Sequence, residues 1–416
     1  MQVEKILLVE PDFPYFKYNH KSRKKSFSSG KRQIIPIGLL KLASYYRKKG
    51  SEIQLVRGLL PANDVKFIPS KILITSLFTY WAHIVRKTVL HYRSLFPSSH
   101  IVVGGIYATL MSDHCKKYTS CDEVFIGLHN EAEKCVPAYD LVETASNSLE
   151  YQILWTTRGC SRRCGYCGVS KLESQFTYKS SIKDEIYYKK VVFYDNNFLA
   201  NPHVIRILKE LAELKESKSL IWSEVQCGLD RQYILRRPYL ANHLKKAGFR
   251  YPKIAWDDSF DKKDEVKSVL NSLMKAGYNA RNIGVFMLYN HDLPFSELEK
   301  KRKLCFEWGV QIMDCRYRPL DNTFDQYNPY NKSDMKYYIH KKGGWKNHLV
   351  RRFRKNIRRT NICIRHRTKY YIPLKEREKI TKEIKKELGM LDSTKKKIDY
   401  LRKKKIKVWN PMTSWT

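Results

Sequence analysis

No stretch of this chain approaches the ~20 consecutive apolar residues that a membrane-spanning helix needs, so no transmembrane segment is expected. The opening Met1-Gln2-Val3-Glu4-Lys5 runs straight into a short apolar strand instead of a secretory leader. The ten cysteines of this long chain do not suggest a disulfide framework either, and the expected setting is reducing and cytoplasmic. Acidic residues are scarce: 41 Asp and Glu stand against 79 Lys and Arg, a formal net charge of +38. Such a field favours polyanions, whether RNA, DNA, an anionic membrane or an acidic protein. The imbalance is concentrated, because Lys341 to Thr416 holds 26 Lys and Arg against 6 Asp and Glu. No RNA-binding fold signature accompanies it.

What is present is led by three cysteines. Cys160, Cys164 and Cys167 lie in the run Thr-Thr-Arg-Gly-Cys-Ser-Arg-Arg-Cys-Gly-Tyr-Cys-Gly. Three thiolates at C-x3-C-x2-C spacing can hold three irons of a [4Fe–4S] cube and leave the fourth open to a ligand. Structural zinc competes for such thiols, but it usually takes four ligands in two separated pairs, and no second pair is visible. A zinc knuckle or plain core cysteines is the competing reading. Cys115, Cys121, Cys135, Cys227, Cys305, Cys315 and Cys363 are irregularly spaced and read as buried or incidental thiols.

Hydrophobic patterning predicts an α/β chain of 416 residues in two or three domains. Residues 1–145 alternate short apolar strands (6–9, 53–56, 72–76, 101–105, 123–127) with helices, as a Rossmann-like parallel sheet does. Residues 146–321 carry six further strands at 153–155, 191–194, 220–225, 253–256, 283–288 and 311–316, the pattern of a partial (βα)6 barrel. Function in such sheets gathers beyond the carboxyl ends of the strands. Polar residues stand there: Asp195, Asn196 and Asn197 after the second strand, Gln226 and Asp230 after the third, Asp257 and Asp258 after the fourth. Residues 322–416 form a basic, mainly helical extension, with Arg351, Lys355, Arg358 and Arg359 at helical spacing and further helices expected over 374–391 and 393–406. The loop from Tyr15 to Gln33, also basic, follows the first strand and should face the same edge as any ligand.

The cysteine run, with Thr-Arg-Gly before it and Tyr166 ahead of the third cysteine, resembles the radical S-adenosylmethionine (SAM) superfamily. That resemblance implies that SAM chelates the open iron and is cleaved reductively to methionine and a 5′-deoxyadenosyl radical, which abstracts hydrogen from a substrate. It implies that Tyr166 packs near the adenine and that Asp195, Asn196 or Asn197 accepts the SAM ammonium. It further implies that Gln226, Asp230, Asp257 and Asp258 lie around the ribose and the methionine moiety. Cys227 and Cys315, at strand ends, are candidate hydrogen donors to a product radical. The first domain looks like the cobalamin-binding domain that often precedes radical SAM domains. Thr75 and Ser76 match its hydroxyl motif, and Gly104 and Gly105 its close approach to the cobalamin nucleotide. Gly127 to Glu133 resembles that family's Gly-x-Gly-Glu segment without its second glycine. No Asp-x-His-x-x-Gly marks a lower cobalt ligand. The absence of regularly spaced further cysteines sets the chain apart from methylthiotransferases, which carry a second cluster.

The expected activity is therefore radical modification of a nucleic-acid base, in tRNA or other RNA more than in DNA, and methylation if cobalamin is bound. An acidic electron donor such as flavodoxin or ferredoxin is an expected partner. Two alternatives stand beside it: a tailoring enzyme acting on a peptide or small metabolite, and a non-catalytic nucleic-acid-binding module on the same scaffold.

Overall fold

The computed structural model describes residues 3–14, 35–142, 149–328, 335–372 and 409–412. The basic loop over 15–33 and the helices expected over 374–391 and 393–406 lie outside the described residues.

The first unit is a mixed α/β layer built on a five-stranded parallel sheet. Its strands are β1 (Lys5–Glu10), β2 (Glu52–Arg57), β3 (Lys71–Ser76), β4 (His100–Gly105) and β5 (Glu123–Val124), in the order β2-β1-β3-β4-β5. Ile6, Leu7, Leu8 and Val9 are all fully buried, as expected of a parallel strand covered on both faces. Alternate side chains serve opposite faces. Leu7, Val9, Ile72 and Ile74 pack with Val85, Val89 and Tyr92 of the helix Ala82–Leu95. Ile6, Leu8 and Leu73 pack with Leu39 and Ala43 of the helix Ile37–Lys48. The fifth strand is shorter than the sequence suggested. Phe125 still donates to the Val103 carbonyl, but the chain then turns away through Gly127, whose φ is 81°.

All six strands anticipated in the second unit form. They are β6 (Gln152–Leu154), β9 (Lys190–Phe193), β10 (Trp222–Val225), β11 (Lys253–Ala255), β12 (Gly284–Tyr289) and β13 (Gln311–Arg316). They group into two parallel sheets of three, β10-β9-β6 and β11-β12-β13. Single parallel bridges, Ser223 to Phe249 and Leu229 to Ile254, join the two groups. One apolar core serves both, with Phe193, Val225, Ile254, Val285, Met287 and Ile312 buried together. A short antiparallel pair, β7 (Thr157–Arg158) with β8 (Thr177–Tyr178), brackets the cysteine loop and was not anticipated.

The extension begins with the helix Asn347–His366. Val350, Phe353, Ile357, Thr360 and Ile364 recur every three or four residues and are buried. Trp345 anchors its start, its indole donating to the carbonyls of His291 (2.9 Å) and Leu293 (3.1 Å). Asn361 both accepts from and donates to the backbone of Ile312, at 2.8 Å each way, satisfying the outer edge of β13. Arg302, buried in the helix Phe295–Glu307, pairs with Glu299 and donates to Thr360 Oγ1 and to the Pro411 carbonyl. Among the described residues no helix is long and apolar enough to cross a membrane.

Candidate functional site

The chain leaves β6 through Trp155-Thr156-Thr157, and Asp195 at the end of β9 holds that exit. Its carboxylate accepts from the backbone N–H and hydroxyl of both Thr156 and Thr157. Asp195 is buried, and burial pushes its carboxyl above the ordinary range, opposed by these four donors. Asp195, one of the three residues expected to meet a ligand ammonium, thus has its Oδ1 spent on the turn into the cysteine loop. Asn196 donates to Glu173 Oε2 (2.8 Å), the same oxygen that accepts from the Gly159 N–H. A Cβ on Gly159 (φ 70°) would collide with the Gln175 carbonyl, so only glycine passes there.

Asn197 is the exception. Its Nδ2 approaches Cys160 Sγ at 3.8 Å and Asp230 Oδ2 at 3.4 Å, while its Oδ1 is buried with no partner. A buried acceptor without a donor is costly unless a ligand completes it. Asp230 caps the helix Arg231–Arg236 and receives Arg162 of the cysteine loop at 2.9 Å. Tyr166 donates its hydroxyl to Asp257 Oδ2 at 2.8 Å, so the loop is also tied to the end of β11. Burial raises both groups above their ordinary ranges. Asp258 receives Arg231 on one oxygen, and its buried Oδ1 has no partner. Gln226 lies exposed after β10, its backbone N–H given to the Phe193 carbonyl.

Cys160, Cys164 and Cys167 are half-buried, with the Cys167 N–H donating to the Cys164 carbonyl at 2.9 Å. Burial raises the Cys167 thiol above its ordinary range. Among the described residues no three His, Cys, Asp or Glu side chains gather tightly enough for a single metal ion. A cubane makes a different demand, because its three thiolates bind three separate irons. Three separate thiols on one loop are compatible with that demand, and Asn197, whose Nδ2 faces Cys160 Sγ, brings an unpartnered buried oxygen to the same strand end. Cys227, just after β10, and Cys315, in β13, are half-buried on strands of different sheets, and burial pushes each thiol up to about 12.

Sequence reasoning missed a charged network behind this loop. Arg158 reaches Glu173 (3.0 Å) on one side and Glu133 on the other, and Glu133 also receives Lys41 at 2.8 Å. Arg158 and Lys41 both lie over the Trp155 ring, at 4.0 and 4.6 Å. Lys41, Glu133, Trp155 and Arg158 line a cavity of ≈ 530 Å³ beside β6. The acidic segment around Glu133 was the only sequence signal for it.

Thr75, Ser76, Gly104 and Gly105 meet at the ends of β3 and β4. Ser76 Oγ donates to the Gly104 carbonyl (2.7 Å) and accepts from the Ala108 N–H (3.1 Å). Gly105 has φ 97°, and a Cβ there would collide with the Ser76 carbonyl. Ser76 and Gly105 are thus accounted for by the joint between the two strands and the next helix.

No protein-family model matches the chain, and no curated protein matches it. Among solved structures, a cobalamin-binding protein from Desulfitobacterium hafniense is similar in part. It is 14% identical with a TM-score of 0.21, and the match covers 31% of this chain and 54% of that one. The matched region thus spans about half the length of that protein.

Proposed function

We propose that this chain is a radical SAM enzyme whose six parallel strands form the superfamily's partial barrel. Cys160, Cys164 and Cys167 would hold a [4Fe–4S] cluster. When bound, cluster and SAM supply a reductive cleavage that yields a 5′-deoxyadenosyl radical. The protein's part is positioning. Asn197 Oδ1 offers an acceptor to the SAM ammonium, a charge-assisted bond in a buried setting. Tyr166, its hydroxyl fixed by Asp257, presents its ring where the adenine would pack. Asp195 and Glu173 stiffen the cysteine loop from both sides. Cys227 and Cys315 keep their S–H at neutral pH because burial opposes ionisation, as a hydrogen donor must.

The substrate we propose is nucleic acid, RNA before DNA. The excess of Lys and Arg toward the carboxyl end supports this, as do the outward Lys355 and Arg358 of the helix Asn347–His366. The same charge suits an acidic flavodoxin or ferredoxin as electron donor. The chemistry needs no cobalamin.

The reading rests on one conjunction: three thiols and an unpartnered buried acceptor, Asn197 Oδ1, at the same end of the same sheet. Its test is oxygen-free purification, reconstitution with iron and sulfide, and assay for 5′-deoxyadenosine after dithionite reduction with SAM. About four irons per chain and 5′-deoxyadenosine are expected. Zinc without iron, or iron without SAM cleavage, overturns it.

A further inference from the structure

The ends of β12 and β13 carry a second set of side chains that no sequence motif marks. Tyr317 follows β13 directly, and His291 stands two residues beyond β12. Their rings meet edge to face at 4.4 Å. His340 stacks on His291 at 5.4 Å, and Tyr338 lies edge-on to Tyr317 at 5.8 Å. Tyr166 of the cysteine loop meets His291 edge to face at 5.8 Å. A half-buried row of rings thus leads from the cysteine loop outward.

The row is held firmly. Tyr338 shares a hydrogen bond with His340 Nδ1 (2.9 Å), and His340 Nε2 meets Asp292 (3.0 Å). Asn290 donates to the carbonyls of Tyr317 and Tyr338 and accepts from the His340 N–H. A Cβ on Gly343 would collide with the His291 carbonyl, so residues 338–345 lie flush against the loop after β12. The Tyr317 hydroxyl and His291 Nε2, by contrast, have no hydrogen-bond partner among the described residues. Lys336, Lys341, Lys342 and Arg163 are exposed on the segments that carry the row, while Asp292 meets His340 Nε2 (3.0 Å) and His291 Nδ1 (3.4 Å), and Asp321 also acts on Tyr317 and Tyr338. Fixed rings with open polar edges suit a planar, polar ligand, and exposed cations on the same segments suit one carried on a polyanion.

We infer that Tyr317, His291, Tyr338 and His340 form a stacking platform for one unstacked base of single-stranded RNA, delivered beside the cysteine loop. This rests on the nucleic-acid reading above. The rings take the base face, the Tyr317 hydroxyl and His291 Nε2 meet its edge, and the lysines meet flanking phosphates.

The test uses the full chain and a single-stranded oligoribonucleotide of about ten nucleotides, in the site-size range of single-strand binders. One version carries a terminal fluorescein for affinity, and another a central 2-aminopurine, whose emission falls on stacking. Wild-type protein is expected to bind and quench. Tyr317→Ala and His291→Ala should each weaken binding roughly 5- to 100-fold and restore emission, with the salt slope unchanged. Tyr317→Phe keeps the ring face and should keep the quenching, with affinity lowered only roughly 2- to 10-fold by the lost hydroxyl contact. Tyr317→Leu keeps apolar bulk without the aromatic face, so lost quenching at an unchanged melting temperature isolates stacking from folding. Lys341→Ala with Lys342→Ala should instead lower the salt slope by about one to two while quenching persists at saturation. Unchanged affinity and quenching in Tyr317→Ala and His291→Ala overturns the platform and leaves the nucleic-acid reading standing. No binding by wild-type protein at low salt sinks that reading, and the platform with it.

Discussion

The parallel strands of the two units end in opposite ways. At the ends of β3 and β4, the Ser76 hydroxyl is given to the Gly104 carbonyl and the Ala108 N–H, and Gly105 is glycine because the Ser76 carbonyl leaves no room for a Cβ. Those groups satisfy one another. At the ends of β9, β11 and β12 the polar side chains are partly spent and partly open. Asp195 Oδ1 is given to Thr156 and Thr157, yet Asn197 Oδ1 and Asp258 Oδ1 are buried without a partner, and the Asn197 amide nitrogen faces the half-buried Cys160. A fold places ligands beyond strand ends as a class, but the accounting of donors and acceptors says which end is still waiting for one. Here it favours the second unit.

The largest expected effect breaks the contrast outright. Replacing Cys160, Cys164 and Cys167 by Ala should abolish iron binding and 5′-deoxyadenosine formation, read by iron analysis and chromatography. The fold should persist, because none of the three is fully buried. Next comes Asn197→Ala. If its Oδ1 receives the SAM ammonium, the lost charge-assisted bond is worth about 1.5–3 kcal/mol, so SAM affinity should fall roughly 10- to 100-fold in calorimetric titration. Ser76→Ala is the matched change at the closed sheet end. It should leave SAM affinity alone while lowering unfolding free energy by about 1–3 kcal/mol, since it orphans the Ala108 N–H. Equal loss of SAM affinity in both variants would erase the distinction between the sheets. Gly105→Ala should destabilise by more than Ser76→Ala, because strain at positive φ costs about 1–3 kcal/mol and the Cβ would also collide with the Ser76 carbonyl, measured by urea denaturation.

The smallest effect concerns pH. Burial raises Asp314 in β13 from 3.8 to about 6, against the opposing pull of Arg354. A carboxyl raised on folding favours the native state while protonated. Its contribution is complete below the unfolded value and is lost as pH rises through about 6. Asp314→Asn should therefore flatten stability between pH ~4 and ~6 by on the order of 1–3 kcal/mol, measured as urea midpoint against pH. An unchanged slope would place the pH dependence of the central sheet elsewhere.

Much of this architecture was legible beforehand because it rests on short-range pattern. Buried runs such as Ile6-Leu7-Leu8-Val9 and Val191-Val192-Phe193 are too apolar to lie anywhere but in a covered strand. Arg351, Lys355, Arg358 and Arg359 at helical spacing announce the helix Asn347–His366, and its buried side proved to be Val350, Phe353, Ile357 and Ile364. Less was visible at the site. Asp195, Asn196 and Asn197 are three consecutive polar residues, and nothing local says that the first serves the backbone of Thr156, the second Glu173, and the third is left open. That assignment depends on which way each side chain points from the end of β9, and on chain some forty residues earlier that comes to meet it.

By itself the sequence determined most of the described strands of both units, the cysteine spacing and the sign and placement of the charge, because each is a property of neighbours along the chain. Only the tertiary structure decided which polar groups are satisfied and which remain open. It also decided that His291, Tyr317, Tyr338, His340 and Tyr166 form one row. Such groupings arise where separate strand ends converge, and no period within a single segment encodes them.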